Sequence, residues 1–227
     1  MSDRPLSNSR FFREAFFDDI PTIIDIHNAN VLQGDFDPTA QNHRAQGNSA
    51  VQGFMLAPVT EPDLSQKIGT GHRFFLALIR SSPEGLTVDT DLAHEEPPHE
   101  CEQDIPAGYI SISTPTLTPD MLQSISWSND FDPALLMSDR HIYIQSVAVY
   151  RQWAGQGIGR FLYQCIYEAF PTSCLSLFVA TKPLCNERSL EFHHRQGFSP
   201  VGTWRKPQFL GLKDYESLIF FREAHTE

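Results

Sequence analysis

Between Ser146 and Phe170 the chain reads SVAVYRQWAGQGIGRFLYQCIYEAF: an apolar run, a turn with glycine at 155, 157 and 159, then an amphipathic helical pattern. Glycine carries no Cβ, so backbone N–H groups at such a turn can approach an anion closely. The first turn of a helix adds unpaired N–H donors and the positive end of its dipole. Alternating glycines at a helix start therefore point to a pyrophosphate cradle, since a tight strand-to-helix connection needs only a single one. Spacing separates the kinds of cradle. A dinucleotide fold shows G-x-G-x-x-G and an acidic residue closing the next strand, whereas here the order is G-x-G-x-G and the next strand ends Ala180-Thr181-Lys182. A P-loop requires Gly-Lys-Ser/Thr, and this turn continues Gly159-Arg160-Phe161.

A second constellation lies downstream in NERSLEFHHRQGF, residues 186–198. Asn186, Leu190 and His193 fall at i, i+4 and i+7, on one face of a helix. Asn186 suits either a helix N-cap or a polar ligand contact. His193 suits either a proton donor near neutrality or a buried, hydrogen-bonded imidazole. The cysteines (Cys101, Cys165, Cys174, Cys185) form no CxxC pair and no metal spacing, so no metal site is expected.

The elements that position these groups follow from periodicity and punctuation. Residues 10–17 read as a strand, with Asp18 or Asp19 capping a helix whose apolar face is Ile20, Ile23, Ile24, His27 and Val31. Residues 32–67 give mixed signals with room for a helix. Strands are predicted at 73–80, 107–113, 141–149 and 174–180, with an exposed acidic loop insertion over 81–106 and a broken segment over 114–140. Helices follow at 159–169, with Phe161, Leu162, Cys165, Ile166 and Ala169 along one stripe, and at 186–196, closed by Gly197. Two final strands, 198–204 and 215–221, pair across a loop. The fold class is α/β with a mixed sheet, taken as one domain over residues 1–227 with a flexible stretch at 1–9.

Turn and helix together resemble the GNAT N-acetyltransferase superfamily. SVAV and the glycines at 157 and 159 match its acyl-CoA turn, Arg/Gln-x-x-Gly-x-Gly/Ala. Asn186, Ser189, Phe192, His193, Gly197 and Phe198 match its closing motif. Ala154 departs from the usual Arg or Gln, and Arg151 or Arg160 is expected to supply the missing charge. The resemblance implies a mostly antiparallel sheet of six to seven strands flanked by helices, the fourth and fifth strands splayed to admit acyl-CoA. It implies acetyl-CoA as co-substrate, without metal, held by Val147, Ala148, Val149, Ala154, Gly155, Gln156, Gly157, Ile158, Gly159, Arg160, Asn186 and Ser189. The Val147 N–H would polarise the thioester carbonyl, and Val149 would bond a pantetheine amide. His193 stands where relatives carry the tyrosine that protonates the thiolate. Tyr143 and Gln145 occupy positions where relatives place a base, though glutamine cannot act as one and serves at most to position water.

The implied reaction is direct attack by a primary amine of a small molecule or peptide in a ternary complex. Asp35, Phe36 and Gln145 are acceptor-site candidates, and Trp127 and Phe131 are further aromatics for that pocket. A non-catalytic acyl-CoA-binding or sensing module is the alternative. The 28 acidic against 17 basic residues, net charge -11, argue against nucleic-acid partners. The same charge suits a cationic acceptor or simply a well-dispersed surface. The polar N-terminus and the lack of a spanning apolar run predict a cytoplasmic protein without a membrane partner. Analogy alone allows a homodimer.

Overall fold

The computed structural model describes residues 9–32, 53–81, 103–114 and 117–224. Its strands are β1 (Ser9–Glu14), β2 (Arg73–Ser81), β3 (Gln103–Ser113), β4 (Ile125–Trp127), β5 (His141–Val149), β6 (Cys174–Lys182), β7 (Ser199–Phe209) and β8 (Leu212–Arg222). Its helices are α1 (Ile20–Asn28), α2 (Glu61–Gly69), α3 (Pro119–Gln123), α4 (Ile158–Ala169) and α5 (Glu187–Arg195). The strands form one sheet in the order β1-β2-β3-β5-β6-β8-β7-β4. Every neighbouring pair is antiparallel except β5 and β6, which run parallel.

Helices cover both faces. On one face, Ile158, Leu162, Tyr163 and Ile166 of α4 bury against Ile110, Ile112, Ile142 and Ile144. On the other, Ile20, Ile23 and Ile26 of α1 and Leu64 of α2 bury against Leu76, Leu78, Tyr109 and Ala148. Both stripes are turned from the expected ones: Ile26 rather than Ile24 is buried on α1, and Tyr163 rather than Phe161 is fully buried on α4. A third cluster around Leu136, Trp204, Tyr215 and Ile219 lies beneath the β7–β8 end. Helix α2 starts on a capping box in which Thr60 and Asp63 bond each other's backbone N–H.

The sheet has eight strands rather than six or seven. The addition is β4, a three-residue strand paired with β7 inside residues 114–140, a segment that also holds α3 and a 3-10 turn at Pro133–Met137. The loop expected between the last two strands is itself strand. β7 and β8 stay paired to Phe209↔Leu212 and reverse over Leu210 and Gly211, both at positive φ (50 and 79). Two positive φ values give the turn the twist that a tight hairpin needs. The end of the predicted 81–106 loop is likewise strand. β3 begins at Gln103, and Asp104 pairs with Arg80 of β2 at 2.8 Å. Residues 82–102 and 1–8 lie outside the described residues. Among the described residues, no helix is long and apolar enough to cross a membrane.

Candidate active site

The parallel pairing of β5 with β6 lasts only three positions: His141↔Cys174, Ile142↔Leu175 and Tyr143↔Ser176. From Ile144 onward β5 holds β3 alone, and a gap opens on its other side. Along β3 the register slips, Ser111 facing Ser146 and Ile112 facing Ile144, so Gln145 is an extra, bulged residue. The bulge resets the alternation of side chains. Ile144, Val147 and Val149 all reach the α4 face, while Ser146 and Ala148 face α1.

Backbone phase decides what the gap is lined with. Tyr150 N–H donates to the Ala107 carbonyl at 2.9 Å. In an antiparallel ladder alternate N–H groups point to the same neighbour. Ala148 N–H therefore points to β3, and the N–H groups of Val147 and Val149 point into the gap. The Val149 carbonyl, on that same side, accepts from Asn30 Nδ2 at 3.2 Å. Gly108 makes the close pairing feasible: a Cβ there would lie 2.7 Å from the Ala148 carbonyl oxygen.

The gap runs into the glycine turn. Gly155 and Gly157 both have φ 79, and Gly157 is the left-handed N-cap of α4. The first intrahelical bond is Phe161 N–H to the Gly157 carbonyl at 2.9 Å, so the N–H groups of Ile158, Gly159 and Arg160 precede the ladder. Ile158 contributes only its backbone, because its side chain is buried in the core. Gly159 has a different reason to be glycine: a Cβ would sit 3.2 Å from the Phe192 ring of α5. Arg151 and Arg160 line the cleft beside the turn, and Ala154 and Gln156 are exposed on it. A residue that sequence reasoning did not place here is Arg10 of β1, whose Nη2 donates to the Gln156 carbonyl at 2.8 Å. The indole N–H of Trp153, also on the cleft, is buried with no acceptor among the described residues. Left-handed glycines, leading helix N–H groups and an orphaned donor fit an elongated, acceptor-rich anion.

Asn186 is the N-cap of α5, its Oδ1 accepting Ser189 N–H at 3.3 Å while its Nδ2 donates to the Phe54 carbonyl at 3.1 Å. It thereby ties residues 53–54 to the cleft wall. His193 is 4% exposed, and both ring nitrogens are engaged. Nδ1 lies 2.6 Å from the Ser189 carbonyl, which can only accept, so Nδ1 carries the proton and Nε2 accepts from the Tyr163 hydroxyl at 2.9 Å. Burial pushes its pKa down to about 4, and the bond to the Ser189 carbonyl offsets only part of that. As placed, His193 is a neutral brace between α5 and α4, with its Nδ1 proton held by the Ser189 carbonyl.

At the other end, Tyr143 and Gln145 line the cleft. Tyr143 packs edge-on against Phe178 at 5.9 Å. Burial and then Tyr215 push its hydroxyl up, which disfavours the phenolate that a base would need. Trp127 and Phe131 are not pocket walls: their rings pack tilted against each other at 5.4 Å, and Phe131 packs on Phe221. Asp35 and Phe36 lie outside the described residues. Walls not anticipated are His27, Phe54, Trp204, Phe209 and Tyr215, from four separate segments. The whole cleft measures about 1580 Å³, beyond the ~300–1,000 Å³ of ordinary small-ligand sites.

Residues 81–198 match the Acetyltransferase (GNAT) family. No curated protein sequence matches the chain. Among solved structures, the fold is similar to Arabidopsis thaliana NAA60 in complex with a bisubstrate analogue, at TM-score 0.56 and 14% identity over 96% of this chain and 100% of that one. The same protein in complex with acetyl-CoA gives TM-score 0.52 and 15% identity over 95% and 98%. The ribosomal-protein alanine N-acetyltransferase of Escherichia coli gives TM-score 0.53 and 12% identity over 96% of each chain. The family match spans just over half of the 227 residues and takes in β5, its bulge, the glycine turn and α5, and on that ground the chain belongs to the GNAT acetyltransferase family.

Proposed function

We propose that this chain is an N-acetyltransferase that moves an acetyl group from acetyl-CoA to a primary amine by direct attack, its described elements forming one catalytic domain. The observation that carries the reading is the continuity of the gap beside Val147 and Val149 with the N–H groups of Ile158, Gly159 and Arg160. Acetyl-CoA, as substrate, brings an activated acetyl carbon. The N–H of Val147 is assigned to the acyl oxygen, where one aligned donor contributes roughly 3 kcal/mol as charge develops. The N–H of Val149 is assigned to a pantetheine amide, and the start of α4 to the pyrophosphate.

Direct transfer is favoured because the described cysteines are poor nucleophiles. Burial raises the thiols of Cys165, Cys174 and Cys185, with Glu168 adding at Cys165 and Glu187 at Cys185. With His193 closed off, the thiolate takes its proton from water. The second reading, a module that binds acyl-CoA without turnover, is favoured by one observation: neither Tyr143 nor Gln145 is a base. Calorimetry with acetyl-CoA, followed by release of free CoA with 2-phenylethylamine, spermidine, glutamate and a Met-Leu peptide, separates the two. Tight binding with amine-dependent CoA release is expected. Binding without release would favour the module, and no binding would remove both.

A further inference from the structure

Four polar side chains form one continuous hydrogen-bonded file through the α1 side of the sheet, ending at the gap. His27 Nε2 lies 2.9 Å from the Ala57 carbonyl, and His27 Nδ1 lies 2.5 Å from the Tyr109 hydroxyl. Tyr109 Oη is 3.1 Å from Ser146 Oγ, and Ser146 Oγ is 2.6 Å from Ser111 Oγ. The carbonyl of Ala57 can only accept, so a neutral His27 carries its proton on Nε2 and accepts at Nδ1 from Tyr109. Tyr109 has then used its one proton, so its oxygen accepts from Ser146, whose oxygen accepts from Ser111. With His27 neutral and its proton on Nε2, every joint runs toward His27, including the Tyr109–Ser146 contact, whose heavy-atom geometry alone also suits Tyr109 as donor.

The file sits where an apolar core would be expected. Tyr109 is 1% exposed and Ser111 is 0% exposed, among Ile23, Ile26 and Leu76. Polar groups in such a place cost free energy unless all are bonded, and here all are. Ser146 is the one member on β5, adjacent to Val147, and it lines the cleft together with His27. The cleft offers no base at Tyr143 or Gln145, yet an attacking amine must lose a proton.

We propose that Ser146, Tyr109 and His27 are the route by which the amine loses that proton, with His27 Nδ1 as its destination. The inference rests on the acetyltransferase reading above. As the amine nitrogen bonds to the acetyl carbon, its proton passes to Ser146 Oγ, the Ser146 proton to Tyr109 Oη, and the Tyr109 proton to His27 Nδ1. The carbon–sulfur bond breaks, the thiolate leaves with the electron pair and takes a proton from water, and His27 returns its proton to solvent. Ser146 is the group that touches the amine; Tyr109 and His27 act through it. The groups facing His27 keep it ready as a base. Burial and Lys67 of α2 hold its pKa below the ordinary imidazole value, the Ala57 bond opposes them, and Asp63 of the same helix moderates Lys67.

The test uses the full chain, saturating acetyl-CoA and the fastest-acetylated amine of the panel above. Tyr109→Phe keeps the ring and cuts the file, and Ser146→Ala cuts it at the cleft. Each is expected to lower kcat by ~10²-fold with the acetyl-CoA KM unchanged. In the wild type kcat falls on the acid side as His27 takes up a proton. That limb is expected to vanish in His27→Gln and to move to higher pH in Lys67→Met. Independently of turnover, nitrogen NMR should show His27 as the Nε2–H tautomer, with its Nδ1 resonance shifted by Tyr109→Phe. An Nδ1–H tautomer, or a folded Tyr109→Phe enzyme with unchanged kcat and pH profile, overturns the proposal while leaving the acetyltransferase reading intact. A wild type that binds acetyl-CoA but acetylates no amine overturns both.

Discussion

The two ends of the cleft are built in opposite ways. The donor end comes from one unbroken stretch, the close of β5, the glycine turn and the start of α4, with α5 braced behind it through Phe192 and His193. The acceptor end is assembled from pieces far apart in sequence: His27 on α1, Phe54, Tyr143, and the Trp204, Phe209 and Tyr215 cluster near the tip of the β7–β8 hairpin. Backbone N–H groups dominate the first end and side chains the second. A site made of backbone constrains few residue types beyond glycine, whereas one made of side chains changes with every substitution. Under the proposed function, the chemistry of the donor is thus held fixed while the end assigned to the acceptor is open to variation on the same scaffold.

The largest expected effect strikes both ends together. His141, at the root of the gap, and His193, behind the turn, are buried and held to about 4 by loss of solvation. The unfolded chain binds protons at these residues near the ordinary value of about 6.5, so it is favoured as pH falls through the window from ~6.5 to ~4. Stability should be full above that window and drop across it by up to roughly 3 kcal/mol per histidine. Urea midpoints measured from pH 7 to pH 4 check this, and His193→Gln should flatten the slope.

Next is Gly157→Asp, which puts a side chain at φ 79 and a negative charge beside the leading N–H groups of α4. Acetyl-CoA affinity is expected to fall at least ~10²-fold, or about 2.8 kcal/mol. Gly211→Asn, at the same φ in the hairpin turn, should leave that affinity unchanged. Equal losses in calorimetry would dissolve the distinction between the two ends. Gly108→Ala forces a Cβ against the Ala148 carbonyl, backbone against backbone. It should lower stability by about 2 kcal/mol, read as a shift in the urea midpoint. The smallest effect is that of Arg10→Ala, which removes the bond to the Gln156 carbonyl. Affinity for acetyl-CoA should weaken by about 1 kcal/mol, with the order of preferred amines unaltered.

The same contrast explains what the sequence could disclose. The SVAV strand, the glycine spacing and the Asn186–Phe198 pattern are local and so legible as motifs, and the splayed strand pair was implied by the family that those motifs resemble. The pairing of the last two strands was legible, but its reach to a tight turn was hidden because that turn is Leu210-Gly211, without the Asn or Asp that normally signals two positive φ values. The β4 strand is only three residues long, and what makes it a strand is β7. His193 fits the closing motif equally well as acid or as brace, and only the carbonyl of Ser189 and the hydroxyl of Tyr163 decide between them. His27 reads as one more member of an apolar helix face, since the Tyr109 and Ser146 that give it a role lie on strands far along the chain.

One further consequence follows from the three residue pairs that join β5 to β6. Four strands lie on each side of that short seam, so the sheet is two blocks sharing a narrow weld. Opening of the weld breaks few bonds, whereas opening within either block breaks a long ladder such as β7 with β8. Amide exchange should therefore be fastest across the seam. Anything that lies along Val147 and Val149 acts as a cross-brace, and at a hundred times its dissociation constant it adds about 2.7 kcal/mol against unfolding. Under the proposed function, cohesion between the halves is in this sense borrowed from the substrate.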